Sequence, residues 1–491
     1  MRIALLSYRS KPHCGGQGVY VRNLSRELVA LGHSVEVFSG QPYPELDDGV
    51  VLTRVPSLDL YRDPDPFRLP HLREYRDLVD VEEVLTMCTA GFPEPKTFSR
   101  RVARLLRDRR GDFDVVHDNQ TLGRGLVQIM AAGFPLVTTI HHPITFDRRI
   151  DLENATGLRR RAGVRRWYGF LRMQRQVARR LPKVLTVSES SRHDIVRDFG
   201  VDPQRLEVIP LGVSEDFRPP DRPRVPGRIV AMASADAPMK GIATLLEAFA
   251  KLRTERDVEL VLVATLKPGG RTERLIDDLG IAGAVTFVSG LSDAELVDVM
   301  GSAEIACVPS LYEGFSLPTA ELMACATPLV VSRAGAIPEV VGDDGACAVL
   351  VTPGDVGELE LALADLLDDP ERREAMGRAA RRRVLERFSW RAVAEATAAA
   401  YAEVVDGACG SPATGYRAVM NQMSNDKTEA VQNVVNHVAG YQDGAPEGTV
   451  ESELRRGLEE ARVQLDDAEI VELAEAINET DGSVTVADVL A

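Results

Sequence analysis

The chain alternates short apolar, β-branched runs with longer stretches whose apolar residues recur every three to four positions. The first pattern predicts buried strands, the second amphipathic helices. "RIALLS" predicts a strand, "GGQGVYVRNLSRELVALG" a loop and helix, and "HSVEVFSG" the next strand. "FDVVHDNQ" and "LVTTIHH" repeat the form, each an apolar run ending in polar residues. This rhythm predicts a parallel sheet covered by helices, with its ligand site beyond the carboxyl ends of the strands.

The rhythm restarts at "RIVAMASA", followed by the amphipathic "GIATLLEAFAKLR" and further strands in "VELVLVAT", "VTFVSG", "IACVPS" and "PLVVSR". Between the halves lies "LGVSEDFRPPDRPRVPGR", whose proline and charge read as a linker near residues 212–227. The expected architecture is α/β: two successive doubly wound domains facing a cleft, over 1–212 and 213–389. A long helix in "RFSWRAVAEATAAAYAEVV" follows, and "DGACGSPATGY" then breaks the pattern. Residues 407–491 carry helical patterns and read as an appended acidic tail.

Composition narrows the picture. The 491 residues exceed one core, and 44% hydrophobic content is globular. No run of about 18 apolar residues predicts a membrane span, and "MRIALLSYRS" lacks the apolar core of a signal peptide. The expected location is the cytoplasm. A net charge of −16 argues against a nucleic-acid binder. The charge is uneven: residues 411–491 hold 16 acidic and 5 basic side chains, residues 148–183 hold 2 acidic and 12 basic. The basic segment interleaves Trp167, Tyr168, Phe170, Leu171 and Met173. It is a candidate for peripheral contact with an anionic membrane or for recruiting an acidic acceptor. A plain arginine-biased surface competes, since the chain has 51 arginines and seven lysines. Six scattered cysteines with no Cys-x-x-Cys pair read as free thiols.

One stretch concentrates candidate chemistry: "SLYEGFSLPTAELMACATPLVVS", residues 310–332. It predicts a strand end, a polar loop and a helix with Pro318 in its first turn. The amides of Phe315, Ser316 and Leu317 would be free at that helix start, a ready site for a diphosphate. Glu313 on the loop and Glu321 within the helix could then accept hydroxyls at either end of an extended ligand, a sugar and a ribose.

With these residues in view, the chain resembles the retaining GT-B glycosyltransferases of family 4. The resemblance rests on Glu313-x7-Glu321, "PHCGGQGVYVRNLSREL", "VVHDNQ", "TTIHHP", "TVSESSRHDI", "VIPLGV", "MKGIATLLEAF" and "RFSW", in the family's order over residues 1 to about 405. It implies an acceptor-binding first domain, a nucleotide-sugar-binding second domain, and a final helix, 390–406, that packs back on the first. It implies transfer of a sugar from a UDP- or GDP-sugar with retention, without a metal or other cofactor. Glu313 would contact the donor sugar, Glu321 the ribose, and Gly314 with the amides of Phe315, Ser316 and Leu317 the phosphates. Lys240 matches the family's phosphate-binding lysine, which offsets charge on the leaving diphosphate. Gly15, Gly16 and Gln17 would lie against the donor. His117, Asn119, His141 and His142 would line the acceptor side, with His117 and Asn119 near the chemistry; a structural histidine is an equal alternative for His117 and His141. The acceptor would be a carbohydrate, lipid or small metabolite, with no nucleic-acid partner.

One departure stands out. The family carries an arginine a few residues before that lysine, where this chain reads "ASADAPMKG" with Ser234 near the place. Serine cannot supply an arginine's paired donors. A non-catalytic nucleotide-sugar-binding protein, or an epimerase or phosphorylase on the same fold, therefore stays as the alternative. The glycines at 15–18 fail a dinucleotide fingerprint because Val21 takes the third glycine's place. Asp63–Asp65 and Asp112–Asp114 read as solvated pairs rather than metal ligands. "NETDGSVTVADVL" fails as a calcium loop because Ile477 would fill its first position.

Overall fold

A computed structural model describes residues 1–10, 16–62, 65–232, 237–409 and 449–461, with isolated tail positions 432, 434, 435, 470, 473, 474 and 477. The chain divides into two compact units, Met1–Asp406 and Gly407–Ala491. Within the first unit, two parallel sheets follow the order that the apolar runs predict. The first comprises Arg2–Ser7 (β1), Ser34–Ser39 (β2), Val51–Arg54 (β3), Val115–Asn119 (β4), Leu136–Ile140 (β5), Lys183–Thr186 (β6) and Leu206–Val208 (β7). The second comprises Val225–Met232 (β8), Glu259–Val263 (β9), Val285–Val288 (β10), Ala303–Val308 (β11), Leu329–Ser332 (β12) and Val349–Val351 (β13).

The orders are β3-β2-β1-β4-β5-β6-β7 and β10-β9-β8-β11-β12-β13. Each is a doubly wound sheet. The chain departs in opposite directions from neighbouring strands, at β1/β4 in one sheet and β8/β11 in the other. Such reversals open a crevice at the carboxyl edge. Helices cover both faces. The helix Gly16–Ala30 buries Tyr20, Val21, Leu24 and Leu28, and each fully buried leucine contributes roughly 2 kcal/mol. One apolar cluster continues through both sheets by way of Leu211, Val213, Phe388 and Trp390.

Those four residues mark a paired crossover. Val213 N donates to Phe388 O at 2.9 Å, and Val213 bridges Ser389 in parallel. Gly212 lies so close to Trp390 that a Cβ there would stand 2.4 Å from the Trp390 nitrogen. The helix Trp390–Cys409 then returns to the first sheet. Tyr401 bonds His117 at 2.6 Å, and Lys183 pairs with Glu403 at 2.6 Å. In the second unit, the helix Thr449–Ala461 buries Val450, Leu454 and Leu458.

Candidate functional site

The reversal between β8 and β11 brings Lys240 and Glu313 together. Lys240 ends the short turn Pro238–Lys240 after β8, and Glu313 stands in the loop after β11. Lys240 Nζ donates to Glu313 Oε1 at 2.7 Å, and Ser310 Oγ donates to the same oxygen at 2.7 Å. The other carboxylate oxygen meets no donor among the described residues. Gly241 makes this presentation of Lys240 possible. Its φ is +64°, and a Cβ would stand 1.9 Å from the Pro309 carbonyl oxygen.

The loop continues into the helix Leu317–Ala324, with Ser316 as its cap at φ 77° and Pro318 in the first turn. Ser316 Oγ bonds Thr319 Oγ1 at 2.8 Å rather than an amide. The amides of Phe315, Ser316 and Leu317 have no acceptor among the described residues. This helix start therefore offers free donors and the positive end of the helix dipole. The Glu321 carboxyl, farther along the helix, has no hydrogen-bond partner among the described residues. It keeps some accessible surface but is hemmed in by protein. Burial pushes its carboxyl up to about 7, with Asp293 adding to the effect.

The second lobe's loop is tied to the first lobe by residues that sequence reasoning did not assign. The Gly314 carbonyl accepts from Ser188 Oγ at 2.6 Å and Ser191 Oγ at 3.1 Å. Ser191 Oγ also lies 2.9 Å from the His141 carbonyl. Tyr312 donates to Asp194 at 2.6 Å, and Glu339 accepts from the amides of Glu189 and Ser190 at 2.8 and 2.7 Å. The signal was present in "TVSESSRHDI", where Ser188 caps the helix Glu189–Phe199. Gly16, in the first turn of its helix, faces this loop: a Cβ there would lie 3.9 Å from Leu317 Cδ1. The glycines at 16 and 18 are helical, not loop as the sequence suggested. Gly15 and Ser234 lie outside the described residues.

The polar end of β4 differs from expectation. His117, Asp118 and Asn119 are all fully buried instead of facing the cleft. His117 uses both ring nitrogens internally, on Tyr401 at 2.6 Å and Thr139 at 2.8 Å. Asn119 accepts from His141 Nε2 at 2.8 Å and donates to Ser7 at 3.4 Å. Burial, with the neighbouring histidine, holds His117 and His141 down at about 3. Such weak bases are poor proton acceptors near neutral pH. His117 is thus the structural histidine left open by the sequence. His141 is partly exposed, and its Nδ1 meets no partner among the described residues. His142 is also partly exposed and stands 3.5 Å from Asp147.

Other candidate features resolve simply. Asp112 pairs with Arg109 at 2.8 Å and Asp114 with Arg2 at 2.6 Å. Asp63 and most of the calcium-like segment lie outside the described residues. The basic segment forms separate helices, Thr145–Glu153, Leu158–Trp167 and Leu171–Ala178, broken at Gly157 with φ 85°. Among the described residues no helix is long and apolar enough to cross a membrane.

Comparison with known proteins adds the following. The family model "Glycosyltransferase Family 4" matches residues 14–217, and "Glycosyl transferases group 1" matches 213–383. An "MMP alpha-(1->4)-mannosyltransferase" of Mycolicibacterium hassiacum is 61% identical over 406 residues, 82% of this chain and 98% of the relative. A "D-inositol 3-phosphate glycosyltransferase 2" of Catenulispora acidiphila is 29% identical, with 82% of this chain and 95% of that protein covered. Among solved structures, sucrose-phosphate synthase from Thermosynechococcus elongatus superposes with a TM-score of 0.63 at 22% identity, covering 83% of this chain and 99% of that one. Anabaena HepE in complex with UDP-glucose gives 0.60 at 18%, covering 82% and 100%.

Proposed function

Because the chain belongs to the family 4 glycosyltransferases and has their GT-B fold, we propose that it is a retaining mannosyltransferase. It would move a mannosyl group from a nucleoside-diphosphate sugar to the 4-hydroxyl of a carbohydrate acceptor. The observation that carries this reading is the 61% identity to a mannosyltransferase of that linkage across nearly its whole length.

In this reading the diphosphate lies at the start of the helix Leu317–Ala324, held by the amides of Phe315, Ser316 and Leu317. Lys240 supplies the fixed cation that stabilises the leaving phosphate. Its ammonium stands 2.7 Å from Glu313. A bound phosphate would draw it off and free Glu313 for the sugar hydroxyls. Glu321 accepts from the ribose hydroxyls, and His141 Nδ1 remains for the donor sugar. Breaking the bond from the sugar carbon to the phosphate and forming the bond to the acceptor oxygen on the same face retains configuration. The acceptor's proton passes to the departing phosphate oxygen. The protein positions the partners and excludes water, and needs neither metal nor other cofactor.

The test is calorimetric titration with UDP, GDP and ADP, paired with transfer assays from their mannose and glucose conjugates. One nucleotide should bind selectively, and Lys240→Ala should weaken it at least tenfold. The product should carry an α-(1→4) linkage by NMR. A folded protein that binds none of the three, or that transfers only glucose, would sink the proposal.

A further inference from the structure

The histidine and asparagine positions expected to line the acceptor side are largely occupied by internal bonds, so other groups must read the acceptor. The carboxyl edge of the first sheet supplies them. Arg9 follows β1, and Tyr61 follows β3. Glu94 opens the helix Glu94–Arg107, which leads away from that edge toward β4. Trp167 ends the helix Leu158–Trp167, two elements before β6. Parallel winding brings all four to one edge.

Arg9 and Glu94 form an ion pair with idle capacity. Arg9 Nε stands 3.6 Å from Glu94 Oε2, beyond hydrogen-bond length. Both atoms are buried without a hydrogen-bond partner. The rest of the Arg9 guanidinium also makes no hydrogen bond among the described residues. Buried polar atoms left this way call for an occupant. A helix-dipole role suits Glu94 at its helix start, but it does not explain the unused donors of Arg9. Burial raises the Glu94 carboxyl to about 7 while Arg9 pulls it down.

Tyr61 lies within electrostatic reach of both Glu94 and Arg9, and an aromatic strip extends from it. Tyr61 meets Trp167 edge to face at 5.9 Å, and Phe92 lies 5.2 Å from Trp167. Tyr61 and Trp167 are half-buried, so each keeps exposed ring surface. The strip begins on the connection that follows β1, and the far end of that connection, Gly16, faces Leu317 at the diphosphate end.

A carboxylate and a guanidinium side by side can take vicinal hydroxyls as acceptor and donor, and aromatic faces take the C–H side of a sugar ring. A phosphate would gain from Arg9 but would meet the Glu94 carboxylate as a like charge once it ionises, above about 7. We propose that Arg9, Glu94, Tyr61 and Trp167 form the acceptor subsite, and that it is built for a neutral sugar chain rather than a phosphorylated one. This inference rests on the glycosyltransferase reading but not on the identity of the sugar transferred.

The test is direct binding to the full chain in the presence of the nucleoside diphosphate, by calorimetry. The probes are a neutral α-(1→4)-linked manno-oligosaccharide and the same chain bearing a terminal phosphate. The neutral chain should bind at least tenfold more tightly than the phosphorylated one. Glu94→Gln and Trp167→Ala should each weaken it at least tenfold while nucleotide affinity and thermal midpoint hold. Trp167→Tyr, which keeps a ring, should restore most of the binding. The proposal is overturned if the neutral chain does not bind, if the phosphorylated chain binds as well or better, or if both variants stay within twofold of wild type. Failure of the mannosyl reading would appear separately, as turnover of a different donor by the same preparations.

Discussion

At the scale of single residues, the burial of Glu321 ties stability to pH. Its folded-state carboxyl is raised to about 7, above its ordinary value. The folded state therefore binds the proton more tightly than the unfolded chain does. The resulting stability is fully present below the unfolded pKa and is lost as pH rises through 7. Glu321→Gln should leave the thermal midpoint almost unchanged at pH 5. At pH 8 it should stabilise the ligand-free protein, by roughly 2 kcal/mol. The same variant should bind nucleoside diphosphate at least tenfold more weakly, because an amide cannot replace a carboxylate toward two hydroxyls. Equal midpoint shifts at the two pH values would show that the burial argument is wrong. Glu313, Glu321 and Lys240 could be named as candidates from the sequence because each sits in a short local pattern that brings its own loop or helix start. The ends of β4 and β5 were not legible in the same way. Whether His117 meets solvent or Tyr401 depends on a helix 284 residues away, and no local pattern records that.

At the scale of elements, the turn that presents Lys240 depends on Gly241. With φ at +64° and the Pro309 carbonyl 1.9 Å from any added Cβ, Gly241→Ala must shift either the turn or the end of β11. The expected result is a loss of at least tenfold in nucleotide affinity with secondary structure intact by circular dichroism. Unchanged affinity would mean that the turn does not position the lysine. Strands and helices were readable from periodicity, since a buried parallel strand is apolar throughout and a covering helix is apolar on one face. Boundaries were less so: the first glycine-rich loop is already helix at Gly16. The arginine-rich stretch around Trp167 forms two helices, Leu158–Trp167 and Leu171–Ala178, joined by the short turn Tyr168–Phe170. The ties of Ser188 and Ser191 to the Gly314 carbonyl were invisible because they join residues more than 120 positions apart.

At the scale of the whole molecule, Met1–Asp406 is a compact unit, and the 61% identical relative is covered almost completely by 406 residues of this chain. A chain ending at residue 409 is accordingly expected to fold and to bind nucleotide within twofold of the full-length protein; failure to express as a folded body would assign the tail a structural role. The doubly wound plan was foreseeable from the repeated strand–helix rhythm. The paired crossover was not, because its two segments lie some 175 positions apart and no local pattern in either records the other.

That crossover has a kinematic meaning. Two chain segments run side by side at Val213 and Ser389, with Gly212 pressed on Trp390. A cavity of about 370 Å³ lies alongside, lined in part by Pro210, Phe315, Glu339 and Phe388. A single linker lets one lobe twist, slide and swing. Two linkers bonded together would act as a pin that resists twist and slide more than swing. On the proposed mannosyltransferase reading, a closure guided by this pin would return the lobes to the same bearing and offer the same acceptor hydroxyl to the donor. The linkage made would be a property of the pin as much as of the pocket. Gly212→Val, which wedges the pin apart, should raise the share of products with other linkages before it abolishes transfer, and an unchanged product mixture at reduced rate would return regiochemistry to the pocket alone.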